Sequence, residues 1–449
     1  MNKRMFLRLS AAILGGTSGR RLFGRGPDAP ASGGTLTNWA GNYRYGTDDL
    51  TSLATVDKVR AYVRGHDSLK ALGTRHCFNG IADSTHALLS LKPMSRVIEL
   101  DPKGSTVTVE AGTTYGQLGP YLHEKGFALH NLASLPHISI AGACATATHG
   151  SGVKNGNLST AVSALEFVTA DGGLLTLSRD KDGETFLGAV VHLGALGVVT
   201  KVTLDVQPAY TMRQEVYENL PLSQLADHFD AIMSGGYSVS LFTDWQKKRI
   251  NEVWVKRRAD DPEADLRRYG ATLAARNLHP IAELSAENCT EQMGAPGPWY
   301  DRLPHFRMGF TPSSGEELQS EYFVPRENAV DAVLAIERLR DQVGPRLFIS
   351  EIRAIDADRL WMSPCYKQSS VTLHFTWKPD WENVRKLLPV IEKELSPYKP
   401  RPHWGKLFTI EPKILQSRFE RLGDFKELAR RYDPPGKFRN EFLASNLYD

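Results

Sequence analysis

The 449-residue chain has only four cysteines, Cys77, Cys144, Cys289 and Cys365, too few and too far apart for a disulfide scaffold. No two of them form a C-x-x-C pair, so a structural zinc is not expected, nor any other resident metal. An excess of one charge is lacking as well: 54 Lys and Arg face 51 Asp and Glu, and the basic residues are scattered rather than striped. A net charge of +3 excludes nucleic-acid binding by bulk electrostatics. No stretch approaches the ~18 apolar residues that a membrane span requires. Walker A and H-E-x-x-H sequences are missing. The nearest approach to G-x-G-x-x-G, Gly150-Ser151-Gly152-Val153-Lys154-Asn155, lacks the last glycine and follows a loop, so a Rossmann reading fails. There is no internal repeat of about 20 to 50 residues, and no low-complexity tract beyond an amino-terminal Gly/Pro/Ser segment.

What is present is an ordinary folding composition, 41% hydrophobic and 23% charged. At about 150 residues per domain the length predicts two or three domains. Residues 1–35 stand apart. Lys3 and Arg4, the apolar stretch Leu9 to Gly16 and the later Ala29-Pro30-Ala31 follow the order of an export signal, and Lys3-Arg4-Met5-Phe6-Leu7 is one residue from a twin-arginine pattern. Arg8, Arg20, Arg21 and Arg25 fit that order poorly, and the alternative is a basic tail with no export role. A periplasmic or secreted location follows from the first reading, a cytoplasmic one from the second.

From Thr35 to about Pro208, short strand-like runs such as Val97 to Leu100, Thr106 to Glu110 and Leu165 to Thr169 alternate with Gly, Asn and Asp punctuation. Asp171-Gly172-Gly173 predicts a hairpin into Leu174 to Leu177. Helices are predicted near Val56 to Val63 and Gly116 to Glu124. Beyond Pro208 the elements lengthen, with strands at Tyr237 to Trp245 and Glu252 to Lys256 and a helix from Arg326 to Asp341, started by Pro325 and ended by Gly344-Pro345. The fold class is α+β, with a boundary near residue 210.

Two front loops have unusual composition. Gly73-Thr74-Arg75-His76-Cys77-Phe78-Asn79-Gly80 follows a strand-like run and could turn backbone N–H groups inward as an anion nest suited to a pyrophosphate. The second runs from Asn131 through Ser134-Leu135-Pro136-His137-Ile138-Ser139 to Gly150, and between Ser139 and Gly150 almost every residue is small or a lone histidine. Nothing bulky there keeps a flat ligand from the backbone. The plain alternative for each loop is a tight turn carrying a surface histidine.

In the rear half, alternation along Val371-Thr372-Leu373-His374-Phe375-Thr376-Trp377 puts Thr372, His374 and Thr376 on one strand face. Glu351 and Arg353, two apart, also share a face. A half-buried sheet with its polar side in water is one explanation. His and Thr in place of the Lys and Glu of solvated strands suit a hydroxyl-rich ligand better. Lys406, beside Trp404 and His403 in an apolar segment, is expected to be partly desolvated and able to accept a proton or stabilise an oxyanion. Cys289 and Cys365 have no partner in this pattern and are read as structural.

Asn38-Trp39-Ala40-Gly41-Asn42, the His76 loop, Ala133 to Ser139, Glu351-Ile352-Arg353, His374-Phe375-Thr376-Trp377 and His403-Trp404-Gly405-Lys406 occur in the order and spacing of the alditol oxidases. The chain from about residue 36 to 449 thereby resembles the aldonolactone-oxidoreductase branch of the vanillyl-alcohol-oxidase flavoprotein family. The resemblance implies a two-part FAD-binding domain over 36–210, a substrate-binding cap with a large antiparallel sheet over 211–400, and a carboxyl-terminal segment, 401–449, returning to the flavin. It implies FAD held by Ala71, Leu72, Gly73, Thr74, Arg75, His76, Cys77, Ser134, Ser139, Gly142, Thr146, Ala147, Thr148, Val199 and His403, with a covalent link at His76. It further implies a polyol surrounded by Ser134, Glu351, Arg353, His374, Thr376 and Lys406, with Lys406, Arg353, Glu351 and His374 carrying the chemistry.

The activity so implied is oxidation of a terminal alcohol of xylitol or sorbitol to the aldose, with molecular oxygen reduced to hydrogen peroxide, by a monomer. Arg75 and Cys77 depart from the Gly and Ser usual beside that histidine. The E-x-R and H-W-G-K elements also occur in sugar-lactone oxidases and dehydrogenases, which form the second reading. A non-catalytic sugar-binding protein is the third.

Overall fold

The computed structural model describes residues 35–307 and 316–448. The expected export segment therefore lies outside the described residues, and among those described no helix is long and apolar enough to cross a membrane.

The front half contains two small sheets, besides a two-stranded pairing of Phe127–Ala128 with Gln207–Pro208. Strands β1 (Leu50–Ser52) and β2 (Leu69–Ala71) both pair in parallel with β3 (Ala87–Ser90). Parallel neighbours need a crossover, and helix α1 (Val56–Arg64) supplies it, capped by the Thr55 side chain accepting from the Lys58 N–H and burying Val59 and Val63. The second sheet is antiparallel, in the order β4 (Val97–Asp101), β5 (Thr106–Glu110), β8 (Val198–Asp205), β6 (Val162–Val168), β7 (Leu174–Ser178). The predicted hairpin is its β6–β7 edge: the Asp171 carboxylate accepts from the Thr169 hydroxyl and the Gly173 N–H, and Gly172 takes the positive φ of 78° the turn requires. Helix α2 (Tyr115–Glu124) starts at a Thr114/Gln117 capping box, and the short α3 (Ile140–Ala145) packs on β8.

The rear half is built on one antiparallel sheet in the order β9 (Thr211–Pro221), β11 (Arg249–Arg258), β10 (Ser238–Thr243), β13 (Leu347–Ile355), β14 (Ser370–Trp377), β12 (Leu318–Pro325), β15 (Arg401–Pro402), with two two-residue strands on the outer side of β9. Val371, Leu373, Phe375 and Trp377 join one core with Val333 and Ile336 of α4 (Ala329–Arg338) and Val384 and Leu388 of α5 (Trp381–Leu395). Strand β14 is buried on both faces, so its polar side is not in water. The helix expected over 326–341 is interrupted: a 3₁₀ turn at Arg326–Asn328 precedes α4, and Leu339 (ψ 5°) separates α4 from a further turn at Arg340–Val343.

The carboxyl-terminal segment runs back to the front half. Leu69 N–H donates to Lys437 O, Lys437 Nζ to Val63 O, and the Asn440 amide to the carbonyls of Gly80, Ile81 and Asp83.

Candidate active site

Short polar side chains fix the His76 loop to its neighbours. Asn38 Nδ2 donates to Cys77 O (2.9 Å) and Asn42 Nδ2 to Phe78 O (2.9 Å), while the Trp39 N–H donates to Arg75 O (2.7 Å). The Asn-Trp-Ala-Gly-Asn motif thus acts as a clasp. Arg75 has a φ of 61°, the left-handed region where glycine is at ease and an arginine is strained. His76 is held between the rings of Trp39 (4.4 Å) and His137 (4.9 Å), and both of its nitrogens are buried without a partner. Burial, then the nearby His137 and Lys406, bring its pKa down to about 3. The Cys77 thiol is pushed up to about 12 by burial, which makes it a poor nucleophile.

The second loop meets the first at Ser139. Its N–H approaches Thr74 Oγ1 at 3.4 Å, and a Cβ added at Gly73 or Gly142 would stand 2.9 or 2.8 Å from Ser139 Oγ, closer than such atoms pack. Thr146 and Thr148 share a hydroxyl hydrogen bond (3.2 Å), and Ala147 takes a φ of 53° between them. Val199 lies on β8, the strand that packs on α3. Leu72 turns away from the loops into a cluster with Tyr43, Tyr45 and Leu88, so it supports the strand end rather than facing the loops; Ala71 before it is exposed.

Strand register builds the opposing wall. Glu351 on β13, His374 on β14 and Glu321 on β12 are direct cross-strand partners, and Arg353 pairs with Thr372 and Thr376 with Gln319 in the adjacent rows. With a side-chain period of two, Glu351, Arg353, His374, Thr376, Glu321 and Gln319 share one face. Glu321 is its centre. Oε1 accepts from Arg353 Nη2 (2.6 Å) and lies 3.3 Å from His149 Nε2, and Oε2 accepts from Lys406 Nζ (2.6 Å). Glu351 Oε1 is 2.7 Å from His305 Nε2, and its Oε2 lies 3.6 Å from Arg353 Nε. His374 Nε2 pairs with Gln319 Oε1 (3.1 Å), leaving Nδ1 buried and unpartnered.

Lys406 reaches this wall on a segment bonded to both halves. The Phe78 N–H donates to Gly405 O (2.7 Å) and Asn79 Nδ2 to Trp404 O and Lys406 O, while the His403 and Leu407 N–H groups donate to Glu321 O and Gln319 O. Gly405 leaves room for Cys77, since a Cβ would stand 3.0 Å from its Sγ and the thiol would have to give way. Ser134 completes the enclosure, its carbonyl accepting from the N–H groups of His305 (3.2 Å) and Phe306 (3.4 Å).

Burial alone would raise Glu321 and Glu351, but their partners outweigh it: Arg353 and Lys406 hold Glu321, and Arg353 and the His305 ring hold Glu351, well below the usual carboxylate range. Burial lowers Lys406, with Glu321 acting against it and Arg353 adding to it. His374 and His403 are pushed well down by burial and Lys406. The site therefore combines two carboxylates, a guanidinium, a weakened ammonium and neutral imidazoles. His149, Glu321 and His403 place ligand atoms within 4.8 Å of one another, but both Glu321 oxygens already accept from fixed positive charges, which a metal cation would have to adjoin.

Four members of this arrangement, Glu321, Gln319, His149 and His305, were not assigned from the sequence. The alternation of Gln319, Glu321 and Phe323 against Leu318, Ser320 and Tyr322 is the signal that could have identified the first two. The histidines carry no such signal.

Residues 50–178 match the family model of an FAD binding domain, and residues 314–446 that of D-arabinono-1,4-lactone oxidase. The chain is 46% identical to an alditol oxidase of Streptomyces sp. over 92% of its own length and 99% of that protein. It is 27% identical to an L-gulono-1,4-lactone dehydrogenase of Mycobacterium tuberculosis (87% and 93% covered) and 24% identical to the L-gulonolactone oxidase of Mus musculus (92% and 98% covered). Among solved structures, cholesterol oxidase from B. sterolicum shares the fold at a TM-score of 0.73 and 15% identity, over 92% of this chain and 96% of that one.

Proposed function

The chain belongs to the aldonolactone-oxidoreductase branch of the vanillyl-alcohol-oxidase flavoproteins, and we propose on that premise that it oxidises the terminal primary alcohol of an alditol such as xylitol or sorbitol to the aldose. The residues fit FAD. Small-residue loops leave backbone accessible around Ser139, and the buried His76 ring has two nitrogens with nothing in the protein to bond. A covalent bond from His76 to the 8α-carbon is the natural use of such a ring. His76 would hold the cofactor there through one of its unpartnered ring nitrogens. When bound, FAD supplies the hydride acceptor, and oxygen recovers the electrons as hydrogen peroxide.

The protein's own task is to prepare the alcohol. A primary alcohol donates hydride poorly until its O–H proton begins to leave. Burial favours the neutral amine of Lys406, and in that form its Nζ takes the substrate proton as Arg353 stabilises the oxyanion. The remaining hydroxyls meet Glu351, His374, Thr376 and Ser134. A shorter alcohol would leave those buried groups unpaired, and the cost falls on its transition state.

The observation that carries this reading is the set of buried polar side chains sharing one face, Glu351, Arg353, His374 and Thr376, with Lys406 between that face and His76. The test is the visible spectrum of purified protein before and after anaerobic addition of xylitol, sorbitol or L-gulono-1,4-lactone. Bleaching by the alditols, with one peroxide per aldose on readmitting air, is expected. Bleaching by the lactone alone would move the protein to the lactone oxidoreductases, and a colourless protein would make it a sugar-binding one.

A further inference from the structure

Behind Glu351 lies a second set of buried groups that the proposed chemistry does not use. Lys256, on β11, has its Nζ directed at three acceptors: the carbonyls of Leu303 and Pro304 (3.0 Å to the latter) and His305 Nδ1 (3.1 Å). Burial lowers Lys256 to about 7, with Glu351 acting against it; in its charged form it has three protons, and here each has one acceptor. Nδ1 must therefore be bare, which places the imidazole proton on Nε2, where it donates to Glu351 Oε1 at 2.7 Å. Trp254 and Phe242 stand edge-on to the ring at 5.1 and 5.4 Å and close the site around it.

The same segment has a second attachment. The His305 and Phe306 N–H groups both donate to the carbonyl of Ser134, on the other side of the site. One short stretch of chain thus fixes two groups of the wall. With Oε1 occupied by His305 and Arg353 Nε 3.6 Å from Oε2, outside hydrogen-bond reach, Oε2 is the oxygen left to face a substrate.

We propose that Lys256 and His305 are positioning residues that hold Glu351 as a charged, acceptor-only group, so that this point of the wall takes a substrate hydroxyl, which can donate to it. The inference rests on the alditol reading. The charged and titratable groups facing His305 are Lys256 from β11 and Glu351 and Arg353 from β13. Cys289 and Glu252 stand beyond Lys256 and Trp254, the thiol pushed up to about 12 by burial and the carboxyl up to about 7. Burial and Lys256 lower His305 to about 4, consistent with a neutral ring at the working pH.

The experiment compares flavin-loaded wild type, His305→Leu, His305→Gln and Lys256→Met, with xylitol and L-gulono-1,4-lactone as substrates. His305→Leu is expected to raise KM for xylitol about tenfold or more while kcat changes less than about threefold. His305→Gln, whose amide can donate in the same place, should return KM to within about threefold of wild type. In Lys256→Met the ring can move its proton to Nδ1 and turn a lone pair on Glu351. Its KM should be raised at about pH 8 and recover towards about pH 5.5 as the imidazole gains a second proton, a larger change than wild type shows over the same range. A wild-type KM in His305→Leu, a His305→Gln no better than His305→Leu, or a flat KM in Lys256→Met would overturn the proposal. If His305→Leu is recovered without flavin, the other two variants decide. Wild type that oxidises only the lactone overturns the alditol reading and this inference together; wild type active on xylitol but indifferent to His305 overturns this inference alone.

Discussion

Lys406 Nζ and Glu321 Oε2 stand 2.6 Å apart, the carboxylate fully buried and the lysine mostly so, and the other oxygen of Glu321 holds Arg353 at the same distance. Two anions, Glu321 and Glu351, thereby balance two cations, with the surrounding histidines neutral. Breaking such a set by removing one partner leaves a buried charge uncompensated, at about 3 to 5 kcal/mol.

Glu321→Gln therefore leaves Lys406 and Arg353 facing a single carboxylate. The carboxylate that raises Lys406 is gone and the guanidinium that lowers it remains, so the lysine deprotonates at a lower pH. The acidic limb of the kcat/KM profile for xylitol, where activity rises as Lys406 loses its proton, should move to lower pH, with thermal stability reduced. A uniform loss of rate with the limb unmoved would show that Glu321 does not tune the lysine.

Lys406→Ala should keep the yellow cofactor and lose the proton acceptor. Anaerobic reduction by xylitol is expected to slow by about 10²- to 10⁴-fold, the span of general-base contributions. Stopped-flow bleaching measures it directly, and a wild-type rate would remove Lys406 from the proton transfer.

Wild-type protein denatured and run on a gel should keep its flavin fluorescence, and His76→Ala should lose it. Release of free flavin from wild type by acid precipitation would contradict the covalent link.

Acid should destabilise the fold early. His76 and His305 have folded pKa values lowered to about 3 and about 4, chiefly by burial, and His374 and His403 are lowered as well. Below the unfolded value of about 6.5 the unfolded chain binds protons that the folded one does not, so stability falls by up to about 1.4 kcal/mol per pH unit for each such ring, until the folded value is reached. Glu321 and Glu351, also depressed, add to the loss below about pH 4.5. Glu252, raised to about 7 by burial, acts in the opposite sense as pH falls from about 7. Melting temperature should decline steadily from about pH 6.5 to 5; a flat curve would mean that these rings are not held neutral.

Period-two alternation in β14 and the two-residue spacing of Glu351 and Arg353 put those side chains on common faces whatever the rest of the chain does, and both faces are seen. The Asp171 turn was legible for the same reason, since it is a bond between near neighbours in sequence. The middle of the 326–341 helix was not, because nothing local at Leu339 announces the break.

The amino-acid order by itself determined which segments alternate, where the loops lack bulk, and the family resemblance carried by motifs from Asn38 to Lys406. Only the tertiary structure decided which charge meets which. Glu321 is 85 residues from Lys406 and 32 from Arg353, and His305 is 46 from Glu351. Such partners are chosen by strand register and by the path of loops, and those are settled by packing of the whole sheet and core rather than by any local preference.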